Sequence, residues 1–267
     1  MKIALFSQSL FSLPLEDAID GAARIGFSAV ELACARPHFH VELARTDPER
    51  VAGQIRRNGL SVSGLSLFND LTDVSCRDEQ FEEAETFIRL APLFGTDLLK
   101  LTPGPPGSAA ATQAHWDRLA AALERLVPVA EDVGVRLAFE THMRQLTDTL
   151  TGARRLLHMA PSPAVGLTVD FSNLAFAGEN LPEAIAALVD RTYNAHVKNG
   201  TVGADGSWHF HALDTGLTDY AEVLAGMRVA NYEGYLTIEC LGNEAREKPL
   251  QTARRDLRIL RSLLGEK

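Results

Sequence analysis

Eight short runs with strand character alternate with eight longer stretches of helical spacing along the 267 residues. No other feature of the chain limits its fold so tightly. The strand-like runs fall at 3–7, 29–33, 60–67, 98–102, 135–140, 165–170, 193–198 and 235–239. Several are apolar with little alternation, as expected of parallel strands covered on both faces. The helical patterns between them lie at 15–25, 48–58, 79–94, 112–133, 147–159, 181–190, 219–229 and 247–264. Gly26, Gly59, Gly95 and Gly134 each close a helical stretch before a strand, and Pro48 and Pro182 suit first-turn positions. Pro92 and Pro128 lie inside helical patterns and are predicted to bend or shorten those helices. No linker or low-complexity stretch divides the chain. The expectation is therefore one α/β domain over residues 1–267, a single (β/α)8 TIM barrel. A doubly wound open sheet would also alternate, but its usual G-x-G-x-x-G turn is absent from Ser7-Gln8-Ser9-Leu10-Phe11-Ser12.

Composition narrows the setting. With 46% hydrophobic and 23% charged residues the chain reads as globular, and no stretch reaches the ~18 apolar residues of a membrane span. The N-terminus, Met1-Lys2-Ile3-Ala4-Leu5-Phe6-Ser7, reads as a first strand rather than a signal peptide. Three widely spaced cysteines, Cys34, Cys76 and Cys240, argue against a disulfide framework and for a reducing, cytoplasmic compartment. A net charge of −9 disfavours nucleic acid and anionic membranes as partners.

A barrel of this kind concentrates chemistry at the C-terminal ends of its strands. At or near the C-terminal ends of the last four strand-like runs stand Glu140, Asp170, His196 and Glu239. Any one of these could be an ordinary cap, and Asp170 before Phe171-Ser172-Asn173 has the look of a turn cap. Four in register are another matter. Three carboxylates at one rim repel each other and resist ionisation unless a cation sits among them. Three carboxylates with one imidazole suit Mn²⁺, Mg²⁺, Co²⁺ or Fe²⁺ better than a thiolate-type structural zinc site.

At these residues the sequence resembles the sugar-phosphate isomerase/epimerase group of xylose-isomerase-like TIM barrels. The likeness runs through Phe139-Glu140-Thr141-His142, Val169-Asp170-Phe171-Ser172-Asn173, Ala195-His196-Val197-Lys198-Asn199, Leu213-Asp214-Thr215-Gly216 with Asp219-Tyr220, and Thr237-Ile238-Glu239. It implies that Glu140, Asp170, His196 and Glu239 bind one divalent metal, with Mn²⁺, Mg²⁺ or Co²⁺ preferred and Zn²⁺ or Fe²⁺ admissible. It also implies a small carbohydrate substrate, and barrels of this family often form dimers or tetramers. The endonuclease IV branch of the superfamily, with its three metals, needs further histidines. Here those positions read Ser66-Leu67-Phe68-Asn69, Thr102 and Asn173.

The expected activity is isomerisation or epimerisation of a small polyhydroxy ketone or sugar acid through an enediolate. Glu140 and Glu239 would act as the paired base and acid. Two alternatives stay open: a dehydratase of an inosose- or dehydroshikimate-like substrate using the same site, and a non-catalytic sugar- or metal-binding barrel. Further substrate contacts are expected from His142, Lys198, His211, Asn173, Glu31 and Arg246. His142 is equally suited to a loop held by its own backbone, and Glu31 to an ordinary ion pair. Asn173 stands where the family frequently has histidine. The glycine-bearing stretch 199–216 reads as a long rim loop of the kind that forms lids.

Overall fold

The computed structural model describes residues 1–75 and 77–266. Eight parallel strands close into a barrel: β1 (Lys2–Phe6), β2 (Ala29–Ala33), β3 (Ser61–Ser66), β4 (Leu98–Leu101), β5 (Arg136–Glu140), β6 (Val165–Asp170), β7 (Thr192–Val197) and β10 (Tyr235–Ile238). Each pairs with its neighbour in sequence, and β1 pairs with β10 to close the ring. Between β7 and β10 the chain adds an antiparallel hairpin, β8 (Asn199–Val202) and β9 (Trp208–His211). The 199–216 stretch is therefore an ordered hairpin, not the open loop expected from its glycines. Its sharp end is made by Asp205, whose carboxylate accepts from the Ser207 amide and hydroxyl, and by Gly206 at φ +77°. A side chain at Gly200 would run into the carbonyl of His209 across the ladder.

The outer layer is helical, and its apolar faces meet the strands in one continuous core. Local chemistry sets the boundaries. The helix expected over 79–94 is α-helical over Arg77–Leu90 and tightens into a 3-10 turn at Ala91–Phe94, where Pro92 cannot supply an amide to the α ladder. Pro128, by contrast, neither breaks nor shortens its helix, which runs unbroken over Gln113–Val133. Pro128 and Glu124, whose carbonyl it leaves unpaired, are both exposed, so water replaces the lost bond. The helix expected over 247–264 is two, Gly242–Glu247 and Pro249–Leu264, divided by Pro249. Cys34 and Cys240 are buried free thiols, and Cys76 lies outside the described residues. No helix among the described residues is long and apolar enough to cross a membrane.

The barrel lumen is unusually polar. On each strand the residues facing inward recur with period two, so the spacing that puts His196 in the lumen also puts Asn194 and Lys198 there. Lys100, Thr168, Asn194 and Thr237 are all buried beneath the rim. Lys100 pairs with Glu140, Asn194 donates to Glu31 and Thr237 donates to Asn194, and these residues form the floor of the site.

Candidate metal centre and active site

Glu140, Asp170, His196 and Glu239 converge at the C-terminal rim, each offering a ligand atom within 4.8 Å of the others, and all four are buried. A cation with oxygen ligands at about 2.1–2.6 Å spans about 4.2–5.2 Å between opposite donors, so the cluster has the size for one ion. Strand register produces this convergence: Asp170 pairs with His196, and His196 with Thr237, two residues before Glu239.

Each ligand-type group has one side committed to the protein and one side turned to the cluster. Asp170 caps the short helix Phe171–Phe176 through Oδ1, which accepts from the Asn173 amide at 2.9 Å, while Oδ2 faces Lys198 Nζ at 2.9 Å. The cap reading of Asp170 holds for Oδ1, and Oδ2 is left on the side of the cluster. His196 Nε2 lies 3.0 Å from both oxygens of Glu31, and Asn194 Nδ2 donates to Glu31 Oε2 at 2.7 Å. Because Glu31 only accepts, the neutral imidazole carries its proton on Nε2 and keeps a lone pair on Nδ1. That Nδ1 is buried without a hydrogen-bond partner and faces Glu140 Oε1 at 3.6 Å. An imidazole held from behind by a carboxylate, with its free nitrogen aimed among carboxylates, has the arrangement of a metal ligand.

Electrostatics supports the same fit. Glu31, Glu140, Asp170 and Glu239 bring four carboxylates, while two buried ammonium groups answer them. Lys100 Nζ sits 2.7 Å from Glu140 Oε2, and Lys198 Nζ sits 2.6 Å from Glu239 Oε2. Two negative charges remain, which one divalent cation beside a neutral His196 would balance. In the ion-free protein a proton takes part of this role. Burial alone would lower the pKa of His196, but the Glu31 and Glu140 carboxylates push it up to about 10. Asp170 is raised by burial and by the charges of Glu239 and Glu140, against the opposing pull of Lys198. Glu140 is held well below the usual carboxylate range because Lys100, with help from His142 and His196, outweighs its burial.

The other expected contacts divide. Lys198 reaches the cluster, with its backbone braced by Tyr220, whose hydroxyl donates to the Lys198 carbonyl at 2.6 Å and accepts from its amide at 3.0 Å. Asn173 is buried beside the cluster, its Nδ2 donating to the Thr141 carbonyl at 3.0 Å and its Oδ1 without a partner. His142 is half-buried and lies close enough to act on Glu140, although its Nδ1 is held by the Met143 carbonyl at 2.9 Å. Glu31, fully buried, faces His196 and Asn194 instead of the opening, so its place is behind the ligand set. His211 and Arg246 are exposed and lie apart from the four, lining a cleft between the hairpin and the segment after β10.

Lys100 and Tyr220 escaped notice as site residues. Lys100 is 1% exposed and lies over the rings of Phe6 and Phe68, with Nζ 5.7 and 4.8 Å from their centroids. Its signal was a lone charge in Leu98-Leu99-Lys100-Leu101. In a strand covered on both faces such a charge points into the lumen and needs a carboxylate there.

The fold and site thus define a (β/α)8 barrel carrying a buried carboxylate–imidazole cluster that could bind a metal at its catalytic rim. Residues 19–263 match the model of the xylose isomerase-like TIM barrel family, and the chain belongs to that family. The fructoselysine 3-epimerase of Shigella flexneri is 24% identical over 278 aligned residues, covering 100% of this chain and 99% of that protein. The structure of a 3-keto-D-glucoside 4-epimerase from Escherichia coli superposes with a TM-score of 0.79 at 20% identity, covering 98% of this chain and 99% of the other. A structure of the IOLI protein with a bound zinc atom superposes with a TM-score of 0.86 at 14% identity, covering 99% and 98%.

Proposed function

We propose that the protein is a metal-dependent epimerase or isomerase of a small keto sugar, with the barrel of residues 1–267 acting as one catalytic domain. The observation that carries this reading is the convergence of Glu140, Asp170, His196 and Glu239 within 4.8 Å, with the unpartnered Nδ1 of His196 among the carboxylates. These four residues would hold one divalent ion. When bound, the ion supplies Lewis acidity that stabilises negative charge on neighbouring substrate oxygens. The donor set favours Mn²⁺, Mg²⁺ or Co²⁺, and the zinc atom of the IOLI structure supports Zn²⁺ as a further occupant of such a site.

The chain's own residues provide the proton chemistry. Glu140 and Glu239 arise from strands separated by β6 and β7 in the ring, so their carboxylates approach the cluster from two sides. One, ionised, takes the proton from the carbon beside the ketone, and the other, entering the step protonated, returns its proton to the opposite face, which inverts that centre. Lys100 keeps Glu140 ionised and able to accept. Lys198, fixed between Asp170 and Glu239, is placed to donate a hydrogen bond to the oxygen that gains charge. The fructoselysine 3-epimerase and 3-keto-D-glucoside 4-epimerase relatives support an epimerase in sugar metabolism. The buried free thiols of Cys34 and Cys240 support a reducing, cytoplasmic setting.

The test is to strip the protein with a chelator, restore Mn²⁺, and incubate it with a panel of ketoses and keto sugars followed by NMR. New diastereomer signals that depend on Mn²⁺ are expected. An enone absorbance without epimer would assign a dehydratase, and bound metal with neither product would leave a binding protein.

A further inference from the structure

Beside the cluster, the rim carries a cleft of about 690 Å³ whose wall includes Gln8, Phe11, Trp208, Phe210, Asn243 and Arg246. It lies between the turn after β1, the β8–β9 hairpin and the segment after β10. Two observations join it to the site. Cys240 and Leu241 in its wall directly follow Glu239, and the Phe210 ring centroid lies 5.9 Å from Lys198 Nζ. A molecule reacting at the cluster therefore has this cleft next to its Glu239 side.

The cleft is large for a free ketose. Clefts of about 300–1,000 Å³ bury drug-sized ligands, so one six-carbon sugar at the cluster leaves most of this space unfilled. Its chemistry is that of a surface for a neutral, hydroxylated ring. Phe11, Trp208 and Phe210 place three aromatic rings in the wall for the C–H face of a sugar or for an aryl ring, with one face of Trp208 covered by the Arg144 guanidinium at 4.3 Å. The fixed charges in the wall are one guanidinium, Arg246, and one carboxylate, Glu244. Arg246 donates to Asn243 Oδ1 at 2.8 Å and Glu244 is engaged by Arg255 at 2.7 Å. A single guanidinium already bonded to a neighbouring amide oxygen does not make a phosphate site. The hairpin that contributes two of the aromatic rings is anchored rather than loose. Asn199 donates to the Leu213 and Thr218 carbonyls at 2.9 Å, and Phe210 passes against Gly242, where a Cβ would come within 3.6 Å of its own.

We infer that this cleft is a subsite for a second, uncharged ring, so that the preferred substrate is a keto sugar in glycosidic linkage to another sugar or an aryl group. The inference rests on the proposed reaction at the cluster for what happens to the first ring. Binding can be tested apart from turnover, with unoxidised sugars as probes. Isothermal titration of the Mn²⁺-loaded protein with cellobiose, glucose and glucose 6-phosphate is expected to show cellobiose binding at least tenfold more tightly than glucose. That ratio is expected to fall to near one in Trp208→Ala and to drop several-fold in Phe11→Ala. Equal affinities for cellobiose and glucose would overturn the assignment, as would a ratio kept in both variants. Tighter binding of glucose 6-phosphate than of cellobiose would overturn it in favour of an anionic subsite. A preserved cellobiose preference in a protein that epimerises no keto sugar would sink the reading of the cluster and leave the subsite standing.

Discussion

Replacing Glu31 by glutamine removes a charge without removing volume, and the surroundings predict why this must weaken metal binding. Both Glu31 oxygens lie 3.0 Å from His196 Nε2, and Oε2 also accepts from Asn194 at 2.7 Å. Asn194 is held this way round by Thr237, whose hydroxyl donates to its Oδ1 at 3.0 Å, so turning the amide over also requires that hydroxyl to reverse its role. A glutamine that keeps its oxygen on His196 sets its amide nitrogen against the Asn194 amide, donor to donor. A flipped glutamine offers its nitrogen to Nε2 and forces the ring proton onto Nδ1, where the lone pair should be. The direct attraction between Glu31 and a charged His196 is about 4 kcal/mol at an effective dielectric of 20. Keeping the carboxylate dry offsets much of it. Carboxylates behind ligating histidines are typically worth 10–100-fold in metal affinity, or about 1.4–2.8 kcal/mol. The assay is Mn²⁺ titration calorimetry against a competing chelator, with the melting temperature as a check on folding. A Glu31→Gln variant that folds normally and binds Mn²⁺ within twofold of the parent would refute the role given to Glu31.

Further outcomes follow from the same geometry. Lys100→Met leaves Glu140 buried beside an empty position, and loss of one partner of a buried pair costs about 3–5 kcal/mol, readable by urea unfolding. The double variant with Glu140→Gln should regain most of that stability, and a single variant as stable as the parent would contradict the pairing. His38 is buried with Nε2 3.2 Å from the Leu13 carbonyl and Nδ1 3.3 Å from Ser7 Oγ, and burial lowers its pKa against the raising effect of those carbonyl contacts. The unfolded chain thus takes up the proton first, so stability present above about pH 6.5 is lost as pH falls towards the folded pKa. His38→Gln should flatten that part of the unfolding free-energy profile. Gly216, at φ +149°, has no room for a Cβ beside Asn199 Oδ1 and the Gly200 backbone. Gly216→Ala should cost about 1–3 kcal/mol in thermal unfolding, and a neutral result would mean that the turn re-forms without strain.

What could be read in the sequence was the part fixed by local pattern. Apolar runs and glycine stops placed all eight barrel strands to within a residue or two, and the strand ends delivered Glu140, Asp170, His196 and Glu239 together. What escaped depends on contacts across the ring. Glu31 and His196 are 165 residues apart, and only barrel closure puts the carboxylate behind the imidazole. Lys100 stands as a lone charge in an apolar strand, and its partner Glu140 comes from the neighbouring strand. The 199–216 stretch looked like loop because its glycines were read as flexibility, whereas at Gly200 and Gly216 they permit close approach of backbone. Pro128 sits inside a helix that is not shortened by it, because water reaches the carbonyl it frees on the exposed face.

The most direct test of proton transfer at the cluster is deuterium exchange. With Mn²⁺-loaded protein in D₂O and a keto sugar that it epimerises, mass spectrometry should find one deuterium at the inverted carbon in each product molecule. Glu140→Gln and Glu239→Gln should each reduce this incorporation by at least 10²-fold while the folded barrel persists. Epimerisation without solvent deuterium, or incorporation undiminished in both variants, would contradict a mechanism run by these two carboxylates.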